Sequence, residues 1–124
     1  MVGHLDVVPV SDGWTSDPFT LIEKEDGNLY GRGSTDDKGP MCCAIAAMKI
    51  VSELRPDLKK RLRVVVGCNE ETGSRCLEYY VKKEGDFDYG FTPDANFPLI
   101  MGEKGLLAGS FETSSDAILD VSGG

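Results

Sequence analysis

Between Arg61 and Cys68 the chain carries Leu62, Val64, Val65 and Val66 with almost no polar interruption. A run of apolar, β-branched residues reads as a strand covered on both faces, as in a parallel sheet. Parallel strands are joined by crossover helices, and the flanking sequence supplies them. Met41, Ala44, Ile45, Met48, Val51 and Leu54 recur at three- and four-residue spacing, the buried stripe of a helix over 40–54. Pro40 suits its first turn and Pro56 stops it. A second helix is predicted over 74–83, ended by Gly85. Residues 2–8 read as a strand with Val2, His4, Asp6 and Val8 on one face. Segments 20–24 and 29–32 read as a hairpin around Asp26-Gly27-Asn28. Residues 87–92 read as a short strand, and 97–101 and 106–111 as extended segments. The alternation predicts an α/β fold, a mostly parallel central sheet flanked by helices.

At 124 residues the chain is sized for one domain. It has 13 Lys plus Arg against 21 Asp plus Glu, a formal charge of −8. That balance argues against nucleic acid, whose phosphates need a basic surface, and against anionic membranes, but it suits cations. No apolar run approaches the roughly 20 residues of a membrane span, and the start shows no leader pattern. Cys42, Cys43, Cys68 and Cys76 lack the spacing of a zinc knuckle or redox pair. They read as reduced, buried small hydrophobes in a cytoplasmic protein. Trp14 and Phe19 read as packing residues.

The acidic residues fall at particular places. His4 and Asp6 lie two apart on one strand face, about 6.6 Å along the strand. Asp36 and Asp37 follow a glycine-rich turn and precede a helix, Glu70 and Glu71 lie past the end of the apolar strand, and Asp94 follows Pro93. Ligand sites of open α/β sheets gather outside the carboxyl ends of strands, so His4, Asp36, Glu70, Glu71 and Asp94 are expected to converge. Carboxylates brought together repel unless cations are present. One neutral imidazole with several carboxylates suits zinc, cobalt or manganese, and such sets can hold two ions about 3.5–4 Å apart. Adjacent Glu70 and Glu71 cannot easily face one ion, so one is expected to ligate and the other to act as general base. Residue by residue, plainer readings stand beside this one. His4 reads equally as a structural histidine, Asp36-Asp37 as helix capping, Glu70-Glu71 as an exposed loop pair and Asp94 as a turn residue.

Taken in order, these residues resemble a known family. The motifs are Gly-His-Leu-Asp-Val-Val-Pro at 3–9, Trp14 with Asp17-Pro18-Phe19, and Tyr-Gly-Arg-Gly-Ser-Thr-Asp-Asp-Lys-Gly at 30–39. Asn-Glu-Glu-Thr-Gly at 69–73 and Phe-Thr-Pro-Asp-Ala-Asn-Phe-Pro at 91–98 follow, with Gly102-Glu103-Lys104-Gly105 after them. The sequence is similar to the di-zinc exopeptidases that include PepV-type dipeptidases, carnosinases, aminoacylases and glutamate carboxypeptidases, and most of all to the PepV-like branch. The resemblance implies that His4 ligates the first ion, Asp6 orients His4, Asp36 bridges both ions and is joined to Asp37 by a cis peptide, Glu71 ligates the second ion and Asp94 the first. Glu70 is the implied general base. It takes a proton from a water activated by the two zinc ions and returns it to the leaving amine of a dipeptide or other small amide. Deacylation of N-acyl amino acids and carboxypeptidase action are the alternatives within the family. A non-catalytic metal-binding or assembly domain is the alternative outside it.

Members of that family carry a further metal-binding histidine downstream and an inserted lid domain, whereas His4 is the single histidine here. The chain is therefore expected to be part of a catalytic domain over 1–112, with a polar tail over 113–124 leading to a lid it lacks. Alone it is expected to be inactive, with exposed sheet edges available for self-association.

Overall fold

In the computed structural model, which describes residues 1–110 and 112, seven elements follow one another. They are β1 (Val2–His4), β2 (Ile22–Glu23), β3 (Leu29–Tyr30), a widened helical turn (Ser34–Lys38), α1 (Gly39–Leu54), β4 (Val65–Gly67) and α2 (Arg75–Glu84). β1 and β4 pair in parallel, Val2 opposite Val65 and His4 opposite Gly67. The crossover between them carries α1, as the apolar strand predicts. The expected α/β architecture is what forms.

Helices contact both faces of the strand pair. A Cβ added at Gly3 would collide with Met41 Sδ of α1, and one at Gly67 would meet Cys76 Sγ of α2 at 3.1 Å. Gly3 is opposite Val66, so Gly67 lies one residue out of step and faces the other way.

The elements are shorter than the apolar pattern predicts. The strand expected over 2–8 ends at His4, and the one expected over 61–68 is limited to Val65–Gly67. The ladder extends back only to Met1, whose carbonyl accepts the Val65 N–H and whose amino group donates to Arg63 O. Coverage on both faces is incomplete, since Val66 is 40% exposed. On α1, Met41 and Ala44 are buried, whereas Ile45, Val51 and Leu54 of the expected stripe are exposed.

Residues 87–92 form no strand. One bond, Val2 N–H to Phe91 O at 3.1 Å, sets this segment along the edge of β1 opposite β4. A continuing parallel ladder would next need an N–H from residue 93, and Pro93 has none. The extended segments expected over 97–101 and 106–110 contain no strand, and residue 111 and the tail over 113–124 lie outside the described residues. Cys42, Cys43 and Cys68 are free and exposed, not buried, and Cys76 is half-buried. Phe19 is exposed, while Trp14 is half-buried beneath the Arg32 guanidinium at 5.5 Å. The Asp36–Asp37 and Phe97–Pro98 peptides are cis.

β2 and β3 form the expected hairpin. Asp26 holds its turn, accepting from the Asn28 N–H at 3.0 Å and the Tyr30 hydroxyl at 2.7 Å. The Tyr30 and Asn28 bonds lower the Asp26 pKa to about 2. A carboxylate depressed in the folded state stabilises above its unfolded pKa, and that contribution disappears as pH falls through the folded value. Hairpin order is therefore expected to fade as pH drops towards about 2. NMR titration of the Asp26 carboxyl carbon is expected to show a higher midpoint in Tyr30→Phe than in the unaltered chain. Equal midpoints would refute this account of the turn.

Candidate metal centre

His4 ends β1 with 1% of its surface exposed. Its Nδ1 lies 2.9 Å from the Asp6 carbonyl oxygen. A carbonyl only accepts, so Nδ1 carries the proton and the neutral ring presents its lone pair at Nε2. Around Nε2 stand Asp36 Oδ1 at 2.9 Å, Asp94 Oδ2 at 3.2 Å and Glu70 Oε2 at 3.9 Å. Residues from three distant parts of the sequence thus meet at one ring nitrogen.

Each carboxylate is delivered by local structure. Gly33, at φ +83°, starts the widened turn, and Asp36 sits in it with extended backbone (φ −122°, ψ 97°). Its carboxylate therefore leaves the helical path and reaches His4. Glu70 and Glu71 ride on a closed loop. Ser74 N–H donates to Asn69 O at 2.7 Å, Gly73 N–H to Glu70 O at 3.0 Å, and the Asn69 side chain bonds Thr72 Oγ1. Asn69 Oδ1 also accepts the Arg75 N–H that opens α2. Asp94 is set by its N–H on Thr92 Oγ1, 3.3 Å away.

Asp6 holds the histidine differently from the expectation. Its carbonyl makes the close contact to Nδ1, while its carboxylate Oδ1 lies 3.5 Å from that atom. The other oxygen, Oδ2, accepts the Glu71 N–H at 3.1 Å. Asp6 therefore links β1 to the Glu70-Glu71 loop. Burial works against its charge, but the N–H groups of Glu70 and Glu71 prevail and lower its pKa.

The electrostatics are those of a carboxylate cluster. Burial is the strongest influence on His4 and disfavours its charge. The Asp6 carbonyl and the charges of Asp94 and Asp36 outweigh burial and raise its pKa. Burial, then Glu71, Asp94 and Asp36, push Glu70 above its ordinary value against the opposing pull of His4. Among the described residues, Asp36, Glu70 and Asp94 are paired with no lysine or arginine; the basic group beside them is the His4 imidazole.

Two sets of donor atoms lie close enough to share an ion. One is His4, Glu70 and Asp94, the other His4, Asp36 and Glu71, with each set's atoms within 4.8 Å of one another. The adjacent glutamates thus fall into different sets. Glu71 Oε1 and Asp6 Oδ1 are buried with no hydrogen-bond partner, a costly state that a cation on Glu71 would relieve. An imidazole lone pair, converging carboxylates and an unsatisfied buried oxygen fit a divalent ion of the zinc, cobalt or manganese type.

Two features escaped the sequence reading. Asp37 is wholly buried and accepts the His4 N–H through Oδ2 at 3.2 Å. Its adjacency to Asp36 was the available signal. A cavity of about 470 Å³ lies beside the second set, lined by Trp14, Arg32, Asp36 and Glu71 among others. The glycines at 31 and 33 were the hint of close approach there.

Comparison with known proteins bears on what such a cluster does. The model of peptidase family M20/M25/M40 matches residues 1–115. YtjP of Bacillus subtilis (strain 168) is 50% identical over 107 residues, which cover 86% of this chain and 23% of that protein. Beta-Ala-Xaa dipeptidase of Lactobacillus delbrueckii subsp. lactis is 43% identical over 125 residues, covering 97% of this chain and 27% of that one. The crystal structure of human carnosine dipeptidase 1 superposes with a TM-score of 0.54 at 45% identity, covering 67% of this chain and 18% of that one. The chain spans about a quarter of the length of the curated relatives it matches.

Titration of the full chain with Mn²⁺, followed by electron paramagnetic resonance, reads the site without interference from thiols, which manganese avoids. His4→Ala and Asp94→Asn are each expected to weaken binding at least about tenfold. Affinity unchanged in His4→Ala would remove the assigned ligand set.

Proposed function

The chain belongs to peptidase family M20/M25/M40, and from that premise we propose that it carries part of the catalytic centre of a metal-dependent dipeptidase. The observation that carries the reading is the convergence of Asp36, Glu70 and Asp94 on His4 Nε2. Support comes from relatives named as dipeptidases, Beta-Ala-Xaa dipeptidase and carnosine dipeptidase 1. The substrate class is a dipeptide or similar small amide.

In this reading His4 and Asp94 would hold one ion, Glu71 would hold a second, and Asp36 would contribute to both. Zinc, or cobalt or manganese instead, supplies Lewis-acid polarisation of the amide carbonyl and acidifies the attacking water. Asp6 keeps the His4 proton on Nδ1 and thereby keeps Nε2 available as a ligand. Glu70 is the general base. Its Oε2 accepts the proton of the attacking water and later delivers it to the leaving amine.

With one imidazole for two donor sets, a second ion would have Asp36 and Glu71 and would bind the more weakly. Residues 1–112 then form the catalytic portion of a larger unit. Four free thiols, three of them exposed, fit a reducing cytoplasm. Among the described residues β4 is paired on one edge, and self-association through the other belongs to the same reading. No helix of the described residues is long and apolar enough to cross a membrane.

Hydrolysis of β-alanyl and α-aminoacyl dipeptides is the test, run on the full-length protein carrying this sequence and on the 124-residue segment. Glu70→Gln is expected to lower kcat at least about 100-fold while bound metal, measured by mass spectrometry, stays constant. The segment alone is expected to show no turnover. Full activity in Glu70→Gln, or turnover by the segment matching the full-length protein, would overturn the respective assignment.

A further inference from the structure

Successive N–H groups of a strand point to alternate edges. On β1 and just beyond it, Leu5 N–H donates towards β4, to Gly67 O at 2.9 Å. The N–H groups of Val2 and His4 face the opposite edge. Val2 donates to Phe91 O at 3.1 Å. His4, two residues on, meets no strand, and its N–H donates to the Asp37 carboxylate at 3.2 Å. Both residues are essentially inaccessible, His4 at 1% and Asp37 at 0% exposure. A buried amide without an acceptor carries a heavy desolvation penalty, so this bond is required where strand pairing has stopped.

The surroundings leave room for that carboxyl group, whose Oδ2 accepts the His4 amide while Oδ1 is buried without a hydrogen-bond partner. A Cβ at Gly3 would collide with Asp37 Oδ2 and with Met41 Sδ. The absence of a side chain at position 3 therefore lets the carboxyl lie against the β1 backbone. Asp37 is the last residue but one of the widened turn, two residues before α1 begins at Gly39. It ties the helix to the strand at the residue that bears the imidazole.

We propose that Asp37 is a positioning residue for His4. Its carboxyl oxygen stands in for the missing strand partner of the His4 amide and fixes the backbone from which the ring reaches Asp36 and Asp94. It acts through His4 and touches no substrate. The metal-binding arm of its test rests on the reading above; the hydrogen-bond arm does not.

The full chain, metal-free, is compared with Asp37→Asn, which keeps a carbonyl acceptor, and Asp37→Leu, which keeps volume without one. Amide hydrogen exchange by NMR reads the His4 N–H, and circular dichroism checks folding. In the unaltered chain and in Asp37→Asn the His4 amide is expected to be protected. In folded Asp37→Leu it is expected to exchange at least about tenfold faster, with Mn²⁺ affinity reduced about 10- to 100-fold. Asp37→Asn is expected to keep that affinity within about threefold. An unprotected His4 amide in the unaltered chain overturns the proposal even should Asp37→Leu fail to fold. Equal exchange in Asp37→Leu and the unaltered chain overturns it too, whatever the metal result. Metal affinity unaffected by His4→Ala overturns the metal reading instead, and the amide result then still decides the role of Asp37.

Discussion

One imidazole nitrogen has to accommodate carboxylates from three separated stretches of chain. Asp36, Asp94 and Glu70 all approach His4 Nε2, which has a single in-plane site for a proton or a metal. A proton placed there meets one carboxylate well and leaves the others repelling each other. A divalent cation answers them together. The histidine can ligate because its other nitrogen is tied to a pure acceptor, the Asp6 carbonyl. That bond sets the tautomer on which the remaining chemistry depends.

The scaffold that delivers these groups is small. Two three-residue parallel strands bring the end of β1 beside the loop following β4, and Asp6 then fastens that loop through the Glu71 N–H. On the opposite edge, Phe91 O and the Asp37 carboxylate take the next two amides of β1. The helices lie close against Gly3, where a Cβ would collide with Met41 and Asp37, and Gly67, where it would crowd Cys76 Sγ. Much apolar surface stays open on α1 and around Val66. The buried order is concentrated around His4, Asp37, Met41 and Ala44.

The α/β class was legible because an apolar run such as Leu62–Val66 has few other uses, and the hairpin because Asp26-Gly27-Asn28 suits a tight turn. The meeting of His4 with Glu70 and Glu71 was legible because His4 ends β1 and the glutamates follow β4, whereas Asp36 arrives from the turn before α1 and Asp94 from a segment that forms no strand. Strand lengths were not, since pairing depends on the partner's available donors, and Pro93 removes one that no hydrophobic pattern registers. Burial of Ile45, Leu54 and the cysteines was misjudged because periodicity identifies an apolar face without showing that anything covers it. Asp6 was assigned its role through the carboxylate, whereas the backbone oxygen two residues along makes the bond, a choice that composition cannot express. Asp37 was overlooked because a carboxyl serving a backbone amide looks, in sequence, like one more acid in an acidic cluster.

X-ray absorption at the zinc edge on the zinc-loaded chain tests the central assignment most directly, because it reads the ligand atoms themselves. The account predicts a first shell of nitrogen and oxygen at about 2.0–2.2 Å, with the multiple-scattering pattern of a single imidazole. A shell dominated by sulfur at about 2.3 Å would assign the ion to the exposed thiols of Cys42, Cys43 or Cys68. It would contradict a metal centre built on His4.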